Sequence, residues 1–225
     1  MVIGNGLLAK NFSNFKNNSQ FVIFASGVSN SRENRSHEFK REKDLIVDTI
    51  KKFSNKTLVY FSTCAFYDRY FGESNYQDHK KEIEEIIQLS SSNYYIFRVP
   101  QIIGSKNPKQ LLGFLNSKIL NQEKFDLIDI DRNLIDLNFL KKVVTLILDN
   151  KLYKNQITNI SYPENISVRR LVNIFESIHK IKGDYEVKKV KGSLLIDSKK
   201  LVDLYNKLGL IKEGYYGERI KHYYG

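Results

Sequence analysis

Cysteine is nearly absent from the sequence, which has Cys64 alone among 225 residues. A single thiol cannot form an intrachain disulfide or a cysteine-rich metal site, and this suits a reducing compartment. The first residues lack the basic region and apolar run of a signal peptide. No stretch approaches the roughly 20 apolar residues that a membrane-spanning helix needs. These absences favour a cytoplasmic protein without membrane insertion.

Proline is also scarce, with 3 residues, and no Gly/Ser-rich linker, internal repeat or low-complexity tract divides the chain. With 41% hydrophobic and 27% charged residues, the chain is able to form a well-covered core. We therefore expect one compact unit. A weak boundary between two parts of the chain is expected near Ser105, where the regular alternation of strand-like and helix-like segments ends.

Acidic residues are outnumbered, since 36 Lys and Arg face 25 Asp and Glu, for a formal charge of +11. This excess favours an acidic partner: a nucleic acid, an anionic lipid or a phosphorylated small molecule. The lysine clusters near residues 141, 188 and 199 are typical of solvated faces.

Short apolar runs rich in β-branched and aromatic residues alternate with longer amphipathic segments. This is the pattern of an α/β protein with a buried parallel sheet. The predicted strands are Val2–Ile3, Phe21–Ala25, Leu58–Ser62, Tyr94–Arg98 and Ile157–Ile160.

Helical periodicity predicts four helices, at residues 38–53, 78–89, 137–148 and after Ser167, whose side chain is typical of an N-cap. In the first helix, Glu42 falls on the same face as the apolar residues. In the second, Glu84 is expected to face solvent with its acidic neighbours. The Tyr-rich and basic segment 214–225 is expected to be a docked or mobile tail.

A glycine turn lies at the first predicted junction of strand and helix. The segment Gly4–Ala9 has the form G-x-G-x-x-A. Gly4 permits the tight turn, Gly6 lets the backbone approach a pyrophosphate, and Ala9 allows close packing of helix on strand. Glycine turns without a ligand are common, so the position of the motif is what favours a dinucleotide site.

A second group of residues follows the third predicted strand. Thr63 stands at its end, and Tyr76 and Lys80 lie four residues apart at the start of a helix, on one face. An ammonium beside a phenol lowers the pKa of the phenol from about 10 toward neutrality. Such a phenol can exchange a proton with an alcohol while hydride moves at the adjacent carbon. With 14 tyrosines in the chain, the spacing alone arises readily by chance, and the order of the parts is what makes it informative.

In this order of parts the chain resembles the NAD-dependent epimerase/dehydratase family, the extended short-chain dehydrogenase/reductases that act on nucleotide-activated sugars. The resemblance implies a Rossmann-like doubly wound parallel sheet, reduced in strand number, over residues 1–105. It implies a small substrate-binding part over residues 106–225. The matching segments are Gly4–Ala9, Phe21–Gly27, Leu58–Tyr67, Tyr76–Lys80 and Phe97–Gly104.

The resemblance also implies roles for single residues. Thr63 matches the catalytic hydroxyl, Tyr76 the general acid/base, and Lys80 the residue that orients the nicotinamide ribose. The implied contacts are, for an NAD or NADP cofactor, Gly4, Asn5, Gly6, Leu7, Ala25, Tyr76 and Lys80, and, for the substrate, Gln101 and Arg132.

The chain departs from the family pattern on the adenosine side. Only Lys10–Gln20 separate the glycine motif from the second strand, too few for two further strands and a helix, since one crossover alone needs about 10–12 residues. The segment Asn5–Gln20 has no Asp or Glu, so the acidic residue that would bind the adenosine ribose is absent. Lys10, Asn11 and Lys16 are alternative contacts, to a 2′-phosphate, and the choice between NAD and NADP stays open.

The chain also departs from the pattern of the 4,6-dehydratases. Cys64 and Ala65 follow Thr63, where those enzymes have an Asp-Glu pair that eliminates water. Dehydration is therefore disfavoured. The four histidines lack metal-ligand spacing, so no metal site is predicted, and His79 is expected on the helix surface.

The leading prediction is an NAD(P)-dependent oxidoreductase, epimerase or ketoreductase acting on a nucleotide-diphosphate sugar, in cell-surface polysaccharide synthesis as the resemblance implies. The alternative is a non-catalytic relative that binds a nucleotide or a partner protein, which the shortened N-terminal region supports. A basic RNA- or DNA-binding module is a third hypothesis, although no nucleic-acid module accompanies the basic tail and nucleic acid is not expected. Homodimerisation is left open.

Overall fold

The computed structural model describes residues 1–70, 72–190, 192 and 194–225. The strands are β1 (Val2–Ile3), β2 (Phe21–Phe24), β3 (Thr57–Thr63), β4 (Tyr94–Val99), β5 (Gln101–Ile103), β6 (Phe125–Asp129), β7 (Asp131–Arg132), β8 (Leu134–Asp136), β9 (Ile157–Asn159), β10 (Ile166–Ser167) and β11 (Tyr185–Lys189). The helices are α1 (Leu7–Asn11), α2 (Ser36–Lys52), α3 (Asn75–Ser90), α4 (Leu111–Leu120), α5 (Leu137–Asp149), α6 (Val168–His179), α7 (Val202–Lys207) and α8 (Tyr215–Tyr224).

The chain forms two compact units. The first comprises residues 1–66, 71–99 and 141–160, and the second comprises residues 67–70, 100–140 and 161–225. The segment 141–160 thus returns to the first unit and supplies β9 to its sheet. The assignment of cofactor binding to residues 1–105 and of substrate binding to residues 106–225 stays a prediction.

The first unit contains a parallel sheet of 5 strands in the order β1-β2-β3-β4-β9. All the predicted strands are present. The residues of β2 are buried throughout, because a parallel sheet is covered on both faces. The predicted α/β class with a Rossmann-like parallel sheet of reduced strand number is confirmed.

Helices α2 and α3 cover one face of this sheet. Ile46 of α2 and Ile83 of α3 pack with Phe24, Tyr60 and Ile96 of the strands in a single buried cluster. Both helices match the predicted amphipathic segments, with α3 beginning at Asn75 because Ser74 caps it.

The other face of the sheet is covered by the chain that follows α1. Phe12 stacks on Phe61 of β3 with ring centroids 5.1 Å apart, and Phe15 packs against Phe21 of β2. Because β1, β2 and β3 are neighbours in that order, the connections from β1 to β2 and from β2 to β3 step in the same direction. The connection through α1 crosses one face of the sheet, and the connection through α2 crosses the other. The two crossovers therefore have opposite hands.

The strand order in this sheet rises from β1 to β9 without a reversal. In a two-part dinucleotide-binding sheet the order reverses beside the first strand, and the ligand spans that point. In the described part of the chain, β1 is the edge strand and no further strand lies beyond it. The sheet therefore corresponds to one of the two parts of such a dinucleotide-binding sheet.

In the described residues of the second unit, the two-stranded sheets are β5 with β8, β7 with β10, and β6 with β11. Its core is aromatic, and Tyr162 stacks on Tyr215 with centroids 4.1 Å apart. The Tyr215 hydroxyl donates to Asp136 Oδ2 at 3.0 Å. The segment 214–225 is therefore a docked helix, α8, with Tyr216 and Tyr224 buried. Among the helices that the structure describes, none has both the length and the apolar composition to cross a bilayer.

Candidate active site

The glycine turn after β1 is built around a close approach of two backbones. Gly4 has φ +116°, and a Cβ at this position would lie 2.4 Å from the carbonyl oxygen of Ala25. The amide of Ala25 donates to the carbonyl of Ile3 at 2.8 Å, which holds β2 against the turn. Only glycine fits Gly4, because an L side chain would be both strained and in collision.

Gly6 is different, because it faces open space. A Cβ at Gly6 would meet no atom within 4 Å, and Asn5, Gly6 and Leu7 are exposed. The backbone of the turn is therefore accessible to a phosphate group, as the motif predicts. The helix that follows is short, with α1 spanning 5 residues.

The fit of the chain to a dinucleotide is partial. The turn at Gly4–Leu7 is formed and exposed, which suits a pyrophosphate. On the adenosine side β1 is the outermost strand among the described residues, so the sheet offers no crevice there. Lys10 and Lys16 are exposed near this edge, and their predicted contact with a 2′-phosphate stays a prediction.

Thr63 is the last residue of β3 and is buried. Its Oγ1 accepts a hydrogen bond from the amide of Ala65 at 3.0 Å. The side chain of Gln77 donates to the carbonyl of Ala65 at 2.6 Å, which ties this strand end to the first turn of α3. Burial raises the pKa of the neighbouring Cys64 thiol, so it remains a neutral thiol near pH 7.

Tyr76 and Lys80 lie together at the start of α3, as their spacing predicts. Ser74 caps the helix through its Oγ, which accepts from the amide of Gln77 at 3.3 Å. The ammonium of Lys80 lies 5.8 Å from the ring centroid of Tyr76, within the range of a cation–π interaction. Both side chains are buried.

Lys80 has partners that the sequence did not indicate. Its Nζ donates to Glu42 Oε1 and to the Tyr60 hydroxyl, both at 2.9 Å. The Tyr60 hydroxyl in turn donates to Glu42 Oε1 at 2.6 Å. The carboxylate of Glu42, on the inward face of α2, thus takes the counter-ion position beside the predicted catalytic lysine.

His79 belongs to the same cluster, so its predicted place on the helix surface is wrong. Its Nε2 lies 3.0 Å from Glu42 Oε2, and its ring stacks on Phe39 with centroids 4.7 Å apart. Since a carboxylate only accepts, Nε2 carries the proton. The hydrogen bond to the Glu42 carboxylate compensates for the burial of the imidazole, and the ring of Phe39 in α2 shields it from solvent.

The electrostatics of the cluster favour a charged Glu42. Burial by itself would raise the pKa of this carboxyl. The charge of Lys80 and the hydrogen bonds from His79, Tyr60 and Lys80 outweigh it and hold the pKa at about 2. Burial, with the Glu42 charge second, raises the pKa of the Tyr60 phenol well above its usual range, so Tyr60 stays a neutral donor.

A second charge pair lies one turn further along α3. Glu84, predicted to face solvent, is buried instead and forms a bidentate pair with Arg98 of β4, at 2.9 Å to Nε and 2.6 Å to Nη2. The signal was available in the sequence, because Glu84 follows Lys80 by four residues and so shares its face. The guanidinium of Arg98 also lies 4.6 Å from the ring centroid of Phe66.

The residues predicted to bind substrate, Gln101 and Arg132, belong to the second unit. Gln101 is exposed at the start of β5. Arg132 is buried in β7, and its Nη1 donates to Asp68 Oδ2 at 2.5 Å. A carboxylate therefore already neutralises the guanidinium, and both substrate roles stay predictions.

The fold itself has close counterparts among solved structures, although no protein-family model and no curated protein matches the chain. The Bordetella bronchiseptica enzyme WbmG, in complex with NAD and UDP, has a TM-score of 0.73 at 15% identity over 96% of this chain and 74% of that one. The Thermus thermophilus UDP-glucose 4-epimerase, in complex with NAD, has a TM-score of 0.71 at 12% identity over 95% and 79%. The dTDP-glucose 4,6-dehydratase of Bacillus anthracis, in complex with NAD, has a TM-score of 0.69 at 15% identity over 91% and 72%. The chain shares its fold with nucleotide-sugar epimerases and dehydratases.

The epimerase/dehydratase fold accounts for both units of the chain, since the matches cover more than nine-tenths of it. These counterparts are longer than this chain, which covers 72–79% of them. The described residues contain no group of three or more His, Cys, Asp and Glu side chains arranged for a metal ion.

Proposed function

We propose that the chain is an NAD(P)-dependent oxidoreductase, epimerase or ketoreductase that acts on a nucleotide-diphosphate sugar. The observation that carries the proposal is the buried pair of Tyr76 and Lys80 on α3, tied by Gln77 to the strand end that bears Thr63. The exposed turn at Gly4–Leu7 supports it as the place for a pyrophosphate.

In this proposal the nicotinamide, when bound, supplies the acceptor and donor of hydride. Tyr76 takes the proton from a hydroxyl of the sugar and returns it, acting as general base and acid. Thr63 shares the hydrogen bond to the same oxygen, because its hydroxyl can donate its proton there while Oγ1 accepts from the amide of Ala65. Lys80 places its ammonium beside the phenol, 5.8 Å from the centroid of the Tyr76 ring.

The residues after Thr63 disfavour elimination of water. Burial raises the pKa of the Cys64 thiol, so this residue neither donates nor accepts a proton readily near pH 7, and Ala65 has no titratable group. Oxidation, ketone reduction or epimerisation through a keto sugar needs neither residue. A cytoplasmic role in polysaccharide synthesis is the biological setting that the family resemblance supports.

Replacing Tyr76 by Phe tests the assignment. We expect turnover of a UDP- or dTDP-sugar to fall at least about 100-fold, since the proton has no other carrier, while NADH binding measured by nicotinamide fluorescence stays within about twofold. Tyr94→Phe is the matched control, because Tyr94 begins β4 at the opposite end of the sheet. An unchanged rate in Tyr76→Phe would contradict the assignment.

A non-catalytic nucleotide- or protein-binding relative is the second candidate, and one observation favours it. The Lys80 side chain is 2% exposed and donates to Glu42 and Tyr60, so it is not presented to a ribose as it stands. Titration of the wild-type protein with NADH and NADPH separates the two candidates. Binding of neither supports the non-catalytic relative, and binding of either together with turnover of a UDP- or dTDP-sugar supports the enzyme.

A further inference from the structure

The carboxylate of Glu42 is the centre of a polar cluster that joins the main elements of the first unit. Glu42 projects from α2, and its Oε1 accepts from Tyr60 of β3 and Lys80 of α3. Its Oε2 accepts from His79 of α3 and from the backbone amide of Val28 at 2.6 Å. Each oxygen therefore has two donors, and the buried charge is fully hydrogen-bonded.

The segment after β2 is shaped around this carboxylate. A Cβ on Gly27 would lie 2.7 Å from Glu42 Oε1 and 2.9 Å from Lys80 Nζ. The glycine leaves the space that the ion pair occupies, and the amide of the next residue, Val28, points at the carboxylate. The backbone at Gly27 and Val28 thus accommodates the same pair of Glu42 and Lys80 that the side-chain hydrogen bonds hold together.

Lys80 is held by its neighbours rather than by its own helix alone. An ammonium that is 2% exposed has lost its hydration, and a buried charge of this kind needs a counter-ion. Glu42 supplies the counter-ion, and Tyr60 accepts a second N–H. A flexible side chain is thereby fixed with its Nζ 5.8 Å from the centroid of the Tyr76 ring.

We propose that Glu42 is a positioning residue: its carboxylate pairs with the Lys80 ammonium and holds it beside Tyr76, the other member of the predicted catalytic pair. Tyr60 is the second anchor of the same ammonium. The inference rests on the proposed function, because it assigns the proton transfer to Tyr76. The hydrogen bonds of Glu42 are to Tyr60, Lys80, His79 and Val28, so in this proposal it acts on Tyr76 through Lys80.

The first part of the test measures the lysine and needs no ligand. The full chain and its Glu42→Gln variant are treated briefly with acetic anhydride, which acylates neutral amines, and the rate at Lys80 is read by peptide mass spectrometry. We expect Lys80 to be acylated at least tenfold faster in Glu42→Gln, because the amide cannot act as its counter-ion. Glu82→Gln is the matched control, since Glu82 is an exposed residue of α3 that pairs with Lys43.

The second part measures the reaction with the same proteins. With a UDP- or dTDP-sugar and NAD, we expect kcat of Glu42→Gln to fall at least tenfold with KM within about twofold. Glu82→Gln keeps both constants. A purely structural role for Glu42 would lower the fraction of folded protein without this split between kcat and KM.

Tyr60→Phe is a second test variant, for use if the Glu42→Gln protein does not fold. It removes one acceptor of Lys80 and keeps the volume of the ring, so we expect a smaller acceleration of acylation, about threefold, together with a lower kcat. Faster acylation with a reduced kcat in either variant supports the inference. Wild-type acylation in a folded variant overturns it whatever the activity, as does a normal kcat with faster acylation. A wild-type chain that turns over no sugar overturns the proposed function first and the positioning role with it.

Discussion

At the scale of single residues, two charge pairs stand on the same face of α3: the buried pair of Lys80 with Glu42, and the pair of buried Glu84 with the partly exposed Arg98. A buried ion pair adds little stability over apolar side chains of similar volume, because both ions lose their hydration. The pairs lie toward the carboxyl ends of β3 and β4, the edge at which α/β sheets bind ligands. On the proposed function, the pair of Lys80 and Glu42 therefore serves to position Lys80 rather than to stabilise the fold.

The two glycines of the first turn give a prediction at this scale. Gly4→Ala should lower the free energy of unfolding by about 3 kcal/mol or more, since it combines a positive φ with a collision at the carbonyl of Ala25. Gly6→Ala is the control and should change it by less than about 1 kcal/mol, because its Cβ meets no atom. Urea denaturation followed by circular dichroism measures both. Equal losses would contradict the geometry of the turn.

At the scale of elements, the connection from β1 to β2 is the unusual part of the fold. Right-handed crossovers are the rule for parallel strands, because a twisted strand and its helix pack back onto the sheet that way. Here 17 residues, 4–20, cross the other face, and they contain the short α-helix α1 followed by a 3-10 turn at Ser13–Phe15. Phe12 and Phe15 anchor the crossing on the aromatic layer formed by Phe21, Phe61 and Phe97.

Truncation of this anchor tests the packing of the crossing. Phe12 is fully buried and stacked on Phe61, so Phe12→Ala should lower the free energy of unfolding by about 3–5 kcal/mol. Leu89→Ala, at an 88% exposed position of α3, should change it by less than about 0.5 kcal/mol. Thermal and urea unfolding provide the comparison. A loss in Phe12→Ala as small as that in Leu89→Ala would show that the crossing does not pack on the sheet.

At the scale of the whole molecule, the sheet of the first unit corresponds to one part of a two-part dinucleotide-binding sheet. The glycine turn and the Tyr76–Lys80 pair are present, whereas the described residues provide no strand beyond β1. The formal charge of +11 is a property of the whole chain, and the two diphosphates of the proposed cofactor and sugar nucleotide would account for only part of such an excess.

Because the described residues provide no strands beyond β1, on the side where adenosine would bind, we expect an unusual cofactor preference. If the sheet offers no crevice for adenosine, NADH and reduced nicotinamide mononucleotide should bind with dissociation constants within about tenfold, or about 1.4 kcal/mol. Fluorescence titration of the wild-type protein with each ligand measures the ratio. A preference for NADH of about 1,000-fold, or about 4 kcal/mol, would show that other residues hold the adenosine.

The sequence predicted the strands and helices of the first unit well, but it did not predict the tertiary partners of the polar residues on those helices. The strands were located because buried parallel strands are continuous apolar runs, as in Phe21–Phe24. The pair of Tyr76 and Lys80 was found because helical spacing is a local property. Glu84 and His79 were misplaced, because a polar residue on a helix is expected to face solvent until its partner is known. Those partners lie 14 and 37 positions away in the chain.

The sequence by itself determined the α/β class, the strands and helices of the first unit, and the placing of Thr63, Tyr76 and Lys80 at strand and helix ends. These depend on hydrophobic periodicity and on residue spacing, which are local. Only the tertiary structure decided that Glu42 and Tyr60 hold Lys80, that Asp68 neutralises Arg132, and that the first connection crosses the opposite face. Such contacts join residues far apart in the chain, and the cost of burying a charge selects its partner only once the core has formed.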